Sequence, residues 1–251
     1  MDEWAEDRSF LYGDGLFETV RVVGGQVRWL ALHKERLARS GEALGFADEV
    51  IARGLEALDG LTAREDGIWR VTVSRPGAGA PWGGGPGQVV CRHRPYVAPE
   101  RPALCALWGH YLPDDVWAAH KTTSYLRSVM ARRCAQLAGF EDGVMISTAG
   151  LVGEASAAAV VVVTDGVLRL PPRAGILDSV TRRGLIERLV PRHGIAIEIG
   201  PIEVSALQRA DEIILLNAAY GALAARTWQG RALDATWAAR IGGWLEAEVS
   251  G

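Results

Sequence analysis

The stretch HKTTSYLRSVMARRCAQLAGF, residues 120–140, puts one of the chain's two lysines where an extended segment gives way to a helix. Leu126, Val129 and Met130 recur at helical spacing and predict the buried side of that helix, which ends near Gly139. Of the 27 basic residues only Lys34 and Lys121 are lysines, leaving 25 arginines. Such drift toward arginine is tolerated wherever only a positive charge is needed. Arginine keeps its proton, whereas a desolvated lysine can lose it and attack a carbonyl, so chemistry that needs a free amine resists the drift. One of the two lysines is therefore a candidate Schiff-base residue.

Upstream of this stretch, LFETVRVV and QVRWLAL flank Gly24-Gly25 and predict a β-hairpin. HKERLARSGEALGF and DEVIARGLEAL carry apolar residues at helical spacing, and GIWRVTVSR and QVVCRHR read as strands. The loop between those two strands, Pro76–Gly87, is glycine-rich but lacks the spacing of a phosphate-binding loop. The prolines of YVAPERPA mark a connection, and ALCALWG follows as a strand. Downstream, GVMIST, LVGEASAAAVVVV and GVLRLP predict three strands, and SVTRRGLIERLVPRHG a helix capped by Asp178 or Ser179. IAIEIG, a short helix through Leu207, the strand DEIILLN and a helix over 237–249 complete an α+β chain. These boundaries predict a small N-terminal α+β domain over 1–100, an interdomain connection and first strand over 101–120, and a larger C-terminal domain over 121–251.

The 251 residues are 49% apolar and 23% charged with a net charge of −3, enough to bury a core without staples. No basic block offers a nucleic-acid footprint, and no apolar run is long enough to cross a membrane. Cys91, Cys105 and Cys134 show no CxxC spacing, which fits neither a disulfide framework nor a zinc site, so no metal is expected. The acidic start, MDEWAEDRSF, does not read as a signal peptide, and the protein is expected in the cytoplasm.

Four segments then occur in a telling order: YGDGLFETVRV (12–22), HKERL (33–37), HKTTSYL (120–126) with Glu154 of VGEAS 33 residues beyond Lys121, and ILDSVTR (176–182). Together they resemble the fold-type IV pyridoxal-phosphate (PLP) enzymes, a family that includes branched-chain and D-amino-acid aminotransferases and aminodeoxychorismate lyase. The resemblance implies a two-domain α+β fold with PLP between the domains, and a homodimer acting on a small molecule. It also implies that Lys121 binds PLP covalently and transfers the proton, that Glu154 pairs with the pyridine nitrogen, and that Arg36 contacts the phosphate. Leu177 would pack on the cofactor ring, and Val180 and Thr181 would meet the phosphate at a helix start. Asn217 and Ala218 would help hold that phosphate, and Phe17, Arg75 and Trp82 would line the substrate. Lys34 reads as a surface charge.

GDGLFET and LNAAYGAL look closer to the lyase than to the aminotransferases. Ala80 and Trp82 stand where D-amino-acid aminotransferases carry an arginine and a histidine for the substrate carboxylate, and a neutral side chain cannot replace a bidentate clamp. Ser124 and Ala159 replace asparagines usual in the family. The resemblance thus points to a lyase that converts 4-amino-4-deoxychorismate to 4-aminobenzoate and pyruvate for folate synthesis. A class IV aminotransferase acting on an amino acid or amine is the alternative, followed by a PLP-binding protein with little turnover.

Overall fold

The computed structural model describes residues 6–77 and 85–248, which form two compact units. The first takes the chain up to Val97 together with His120–Tyr125. Its antiparallel sheet has the order β2-β1-β3-β4, built from β1 (Gly15–Val23), β2 (Gln26–Val27), β3 (Gly67–Ser74) and β4 (Val89–Arg94). β1 and β2 form the hairpin expected around Gly24-Gly25. Side chains alternate along a strand. Leu16, Val20 and Val22 of β1, with Val71 and Val73 of β3, accordingly meet Leu37 of α2 (Leu30–Ala43) and Val50, Ile51 and Leu58 of α3 (Asp48–Asp59). Each of these fully buried aliphatic side chains contributes roughly 1.5–3 kcal/mol. The opposite face presents Phe17 of β1, Arg70 and Thr72 of β3, and Val90 and Arg92 of β4. A one-turn helix, α1 (Arg8–Tyr12), precedes β1, with Asp7 accepting from the N–H groups of Ser9 and Phe10 as its cap.

The second unit comprises Ala98–Ala119 and the chain from Leu126 onward, and contains two five-stranded sheets. One has the order β14-β13-β5-β6-β7, from β5 (Ala103–Trp108), β6 (Asp142–Ile146), β7 (Val152–Ala155), β13 (Thr227–Trp228) and β14 (Arg231–Ala232). The other runs β10-β9-β8-β11-β12, from β8 (Ala159–Thr164), β9 (Val167–Leu170), β10 (Ile197–Ile199), β11 (Glu212–Asn217) and β12 (Gly221–Ala224). Leu104, Val144 and Ile146 of the first sheet share a core with Val160, Val162, Ile213 and Leu215 of the second, around the buried Trp228. α4 (Leu126–Leu137) packs on β5 and β6. The run that opens with α5 (Val180–Gly184) continues through a wider turn, Leu185–Leu189, into α6 (Val190–His193); α7 (Val204–Arg209) and α8 (Thr236–Ala247) complete the unit.

Three expectations need correction. The boundaries at 100 and 120 do not match the units: β5 folds with the second unit, while residues 120–125 fold with the first because their backbone bonds to β1. LVGEASAAAVVVV is not one strand; it breaks at Ser156–Ala158, where the Ala155 N–H donates to the Ala158 carbonyl and the Ser156 hydroxyl donates to Asp142. On α4 the face turned to the sheet is that of Ala131 and Ala135, both 0% exposed, whereas Leu126 and Val129 are 71% and 53% exposed. Small side chains allow the helix to approach the sheet closely, and the larger apolar ones remain outside.

Candidate active site

Lys121 is positioned by backbone pairing. The Phe17 N–H donates to the Lys121 carbonyl at 2.9 Å, and the Thr123 N–H donates to the Gly15 carbonyl at 2.8 Å, so residues 121–123 close the edge of β1. The glycines of YGDG make this approach possible. A Cβ on Gly13, whose φ is +67°, would lie 2.9 Å from the Ser124 Cα, and one on Gly15 would lie 2.9 Å from the Thr123 Oγ1. Lys121 Nζ sits 4.3 Å from the centroid of the buried Phe17 ring, which meets Tyr125 edge-on at 5.6 Å. A cation over an aromatic face is favourable, and the ring wall limits how many water molecules reach the amine.

The Arg70 guanidinium lies 3.5 Å from the same Phe17 centroid, so the two cations stand within about 8 Å of one another. Arg70 lines a cavity of about 300 Å³ with Asp7, Ser9, Thr72, Gln88 and Arg92. Burial first, and then the like charge of Arg92, pulls the Arg70 pKa down, partly offset by Tyr125. Arg70 donates to Thr72 Oγ1 at 3.2 Å, and among the described residues no carboxylate lies within ion-pair reach of Arg70 or Arg92. Asp7, in the same cavity, is occupied in capping α1. The cavity is thus suited to an anion.

On the helix side of β1, Glu18 occupies a position flanked by core valine and leucine. Arg36 of α2 donates to it through Nε at 2.8 Å and Nη2 at 2.5 Å, and His33 Nδ1 lies 2.7 Å from its Oε2. All three residues are buried. Burial alone would raise the Glu18 pKa, but the charge and hydrogen bonds of Arg36, with the hydrogen bond of His33, hold it at about 2. Burial lowers the His33 pKa against the pull of Glu18, which favours the neutral imidazole. The Arg36 guanidinium is therefore fixed by a buried carboxylate.

In the second unit, Glu154 of β7 accepts from the Leu177 N–H at 3.1 Å, which brings two of the expected residues together. Arg127 Nη2 lies 3.8 Å from the other Glu154 oxygen. Ser179 caps α5 by accepting the Arg182 N–H, and Val180 and Thr181, both buried, form the first turn where helix N–H groups lack partners of their own. The Asn217 side chain is used in a turn: Oδ1 accepts from the N–H groups of Ala219 and Tyr220, and Nδ2 donates to the Ala157 carbonyl.

Arg75, expected to line the substrate, is engaged by other groups of the first unit. Its three nitrogens donate to Asp14, the Gly45 carbonyl and the Leu44 carbonyl, and its face lies 4.1 Å from the Phe46 centroid, so it clamps the YGDG loop. Trp82 and Ala80 lie outside the described residues. Lys34 makes an exposed ion pair with Asp59, as its surface reading requires. Sequence reasoning missed Glu18, Arg70 and Arg127. For Glu18 a signal existed, since LFETV puts a carboxylate in register with apolar residues on the buried side of a strand.

The residues present fit PLP by their chemistry: an amine against an aromatic wall, a carboxylate held by a backbone N–H, and a capped helix start with a hydroxyl. Among the described residues no cluster of His, Cys, Asp and Glu could hold a metal, and no helix is long and apolar enough to cross a membrane.

The family model for amino-transferase class IV matches residues 15–228. A protein of Methanocaldococcus jannaschii provisionally named branched-chain-amino-acid aminotransferase is 32% identical over 232 residues, 85% of this chain and 78% of that one. The bifunctional aminodeoxychorismate lyase / D-amino acid transaminase of Mycobacterium tuberculosis is 28% identical, over 94% of this chain and 89% of that one. Among solved structures, the 4-amino-4-deoxychorismate lyase of Pseudomonas aeruginosa superposes with a TM-score of 0.80 at 26% identity, covering 98% of this chain and 95% of its own. A hypothetical aminotransferase of M. tuberculosis in its PLP-bound form gives 0.83 at 25% identity, over 98% and 92%.

Proposed function

From the premise that the chain belongs to the class IV aminotransferase family and is a PLP-dependent enzyme of the α+β fold-type IV class, we propose that it removes pyruvate from 4-amino-4-deoxychorismate to leave 4-aminobenzoate. The observation that carries this reading is the pair Arg70 and Arg92, without a carboxylate partner among the described residues, on the same sheet face as Phe17 and Lys121. Two guanidinium groups suit a substrate with two carboxylates, which this one has, and a charge-assisted pair to each is worth more than a neutral hydrogen bond. The M. tuberculosis relative, named for the lyase activity along with a transaminase activity, supports it further.

In this reading PLP, when bound, supplies the electron sink for the carbanion. Lys121 would hold the cofactor and serve as the base that takes the ring proton of the substrate. The C–O bond to the enolpyruvyl group breaks, the ring aromatises, and the departing enolpyruvate takes up a proton to become pyruvate. Arg70 and Arg92 hold the carboxylates and so orient the ring above the amine. Glu154 would pair with the pyridine nitrogen, Leu177 would pack on the cofactor ring, and Arg36, Val180, Thr181 and the backbone at Ala218 would hold the phosphate.

The exposed Leu126, Val129, Met130 and Leu137 of α4, with Trp117 64% exposed nearby in sequence, form the face we assign to a second copy in a homodimer. Three unpaired cysteines suit the reducing cytoplasm.

The aminotransferase reading is favoured by a different point: an arginine at position 70 also serves the single carboxylate of an amino acid, and the M. jannaschii relative carries an aminotransferase name. The two readings are separated by mixing holoenzyme with enzymatically generated aminodeoxychorismate and measuring pyruvate and 4-aminobenzoate, against half-transamination of D-alanine, L-leucine, L-glutamate and 1-phenylethylamine. Rapid conversion to the pyridoxamine form with any of these four, and no 4-aminobenzoate, overturns the lyase reading.

A further inference from the structure

Glu154 is not alone on β7. Arg127, the second residue of α4, places Nη2 at 3.8 Å from Glu154 Oε1, beyond hydrogen-bond length, while its Nη1 donates to Asp115 Oδ2 at 2.9 Å. Asp115 is itself anchored, since its Oδ1 accepts the Trp117 N–H at 3.0 Å at the start of the turn Val116–Ala119. The second Glu154 oxygen is held by the Leu177 N–H at 3.1 Å. One guanidinium is thus shared between two carboxylates, bound tightly to one and loosely to the other. We propose that Arg127 is a positioning residue that sets how strongly Glu154 holds a proton on the cofactor's ring nitrogen, and that Asp115 sets how much of Arg127 reaches Glu154.

This rests on the assignment of Glu154 to the pyridine nitrogen. The physical argument is competition for one negative charge. A cation near a carboxylate stabilises its ionised form and weakens its attraction for any second cation, here the protonated ring nitrogen. Asp115 draws Arg127 away by a direct hydrogen bond, so Glu154 keeps more of its charge for the cofactor than it would if Arg127 closed the 3.8 Å gap. Within the unit the Tyr111 phenol also feels Glu154: its pKa is raised by burial and then by Glu154 and Asp114. Tyr111 donates to the Ala174 carbonyl at 2.8 Å and, with its pKa raised, remains neutral near pH 7, so it adds no charge beside Glu154.

The two partners of Arg127 make a prediction of opposite signs, which a merely structural role would not produce. Holoenzyme reconstituted with PLP labelled with ¹⁵N in the ring is titrated by ¹⁵N NMR, which reads the protonation of that nitrogen directly and independently of turnover. Arg127→Gln raises the pH at which the nitrogen loses its proton by about one unit, the lower end expected for an opposite charge at this distance and partial exposure. Asp115→Asn lowers it, because Arg127 is freed to hydrogen-bond Glu154, and Arg127→Lys stays close to the unmodified protein. Glu154→Gln is the control for the underlying assignment and lowers the titration strongly. If Glu154→Gln leaves it unmoved, Glu154 does not face the nitrogen and both assignments fall. If Glu154→Gln moves it while Arg127→Gln and Asp115→Asn leave it unchanged, or shift it in the same direction, the role of Arg127 alone is overturned.

Discussion

Replacing Glu18 by Gln tests the most heavily buried electrostatic contact of the first unit. Its carboxylate is 1% exposed and takes two hydrogen bonds from Arg36, with His33 Nδ1 at 2.7 Å. The amide is nearly isosteric but leaves the Arg36 charge without its counter-ion in a low-dielectric site, and breaking such a pair from one side costs about 3–5 kcal/mol. The pH dependence gives a second magnitude. The folded Glu18 pKa is about 2 against an ordinary 4.5, and at about 1.4 kcal/mol per unit this difference corresponds to about 3 kcal/mol. Because the folded value is the depressed one, that stability is fully present above pH 4.5 and is lost as pH falls toward 2. Urea unfolding of both proteins between pH 7 and pH 3 should show Glu18→Gln less stable by about 3 kcal/mol or more at pH 7, with the gap narrowing only below pH 4.5. The double variant Glu18→Gln/Arg36→Met should recover much of the loss, since the unpaired charge is gone. A loss below about 1 kcal/mol at pH 7, or a gap that stays constant down to pH 3, refutes the reasoning.

Three further outcomes follow from the geometry. Arg70→Gln should raise KM for aminodeoxychorismate by roughly tenfold or more with a smaller change in kcat, the signature of lost substrate binding; an unchanged KM in steady-state assays removes Arg70 from the substrate site. Glu154→Gln should retain PLP, seen as unaltered cofactor stoichiometry, yet lose most activity, because a neutral amide no longer favours the protonated ring nitrogen; loss of cofactor instead would assign Glu154 to a binding role. Gly13→Ala should cost about 2 kcal/mol in thermal unfolding, since the residue has φ +67° and its Cβ would meet the Ser124 backbone at 2.9 Å; a variant as stable as the parent would show that the YGDG turn does not seat the lysine segment.

Much of this was legible in the sequence where a local rule decides the outcome. The Gly24-Gly25 hairpin and the Ser179 cap both depend on residues close in the chain. Failures occurred where a long-range contact chose between locally equivalent options. The periodicity of α4 is satisfied by either of two stripes, and only the close approach of the helix to β5 and β6 selects Ala131 and Ala135 over the larger Leu126 and Val129. Both Arg70 and Arg75 belong to or adjoin β3, yet alternation sends Arg70 toward Phe17, while Arg75, just past the strand, is captured by Asp14 from 61 residues away. The short strands β12, β13 and β14 went unread because two to four residues carry too little pattern, and their pairing is fixed by β11 and β5.

The central claim is that Lys121 is the amine that carries the cofactor, and borohydride reduction followed by peptide mass mapping tests it most directly. The purified yellow holoenzyme should lose its visible absorbance on reduction and yield one phosphopyridoxyl-modified peptide containing Lys121. Modification at Lys34, or no modified peptide at all, would contradict the account.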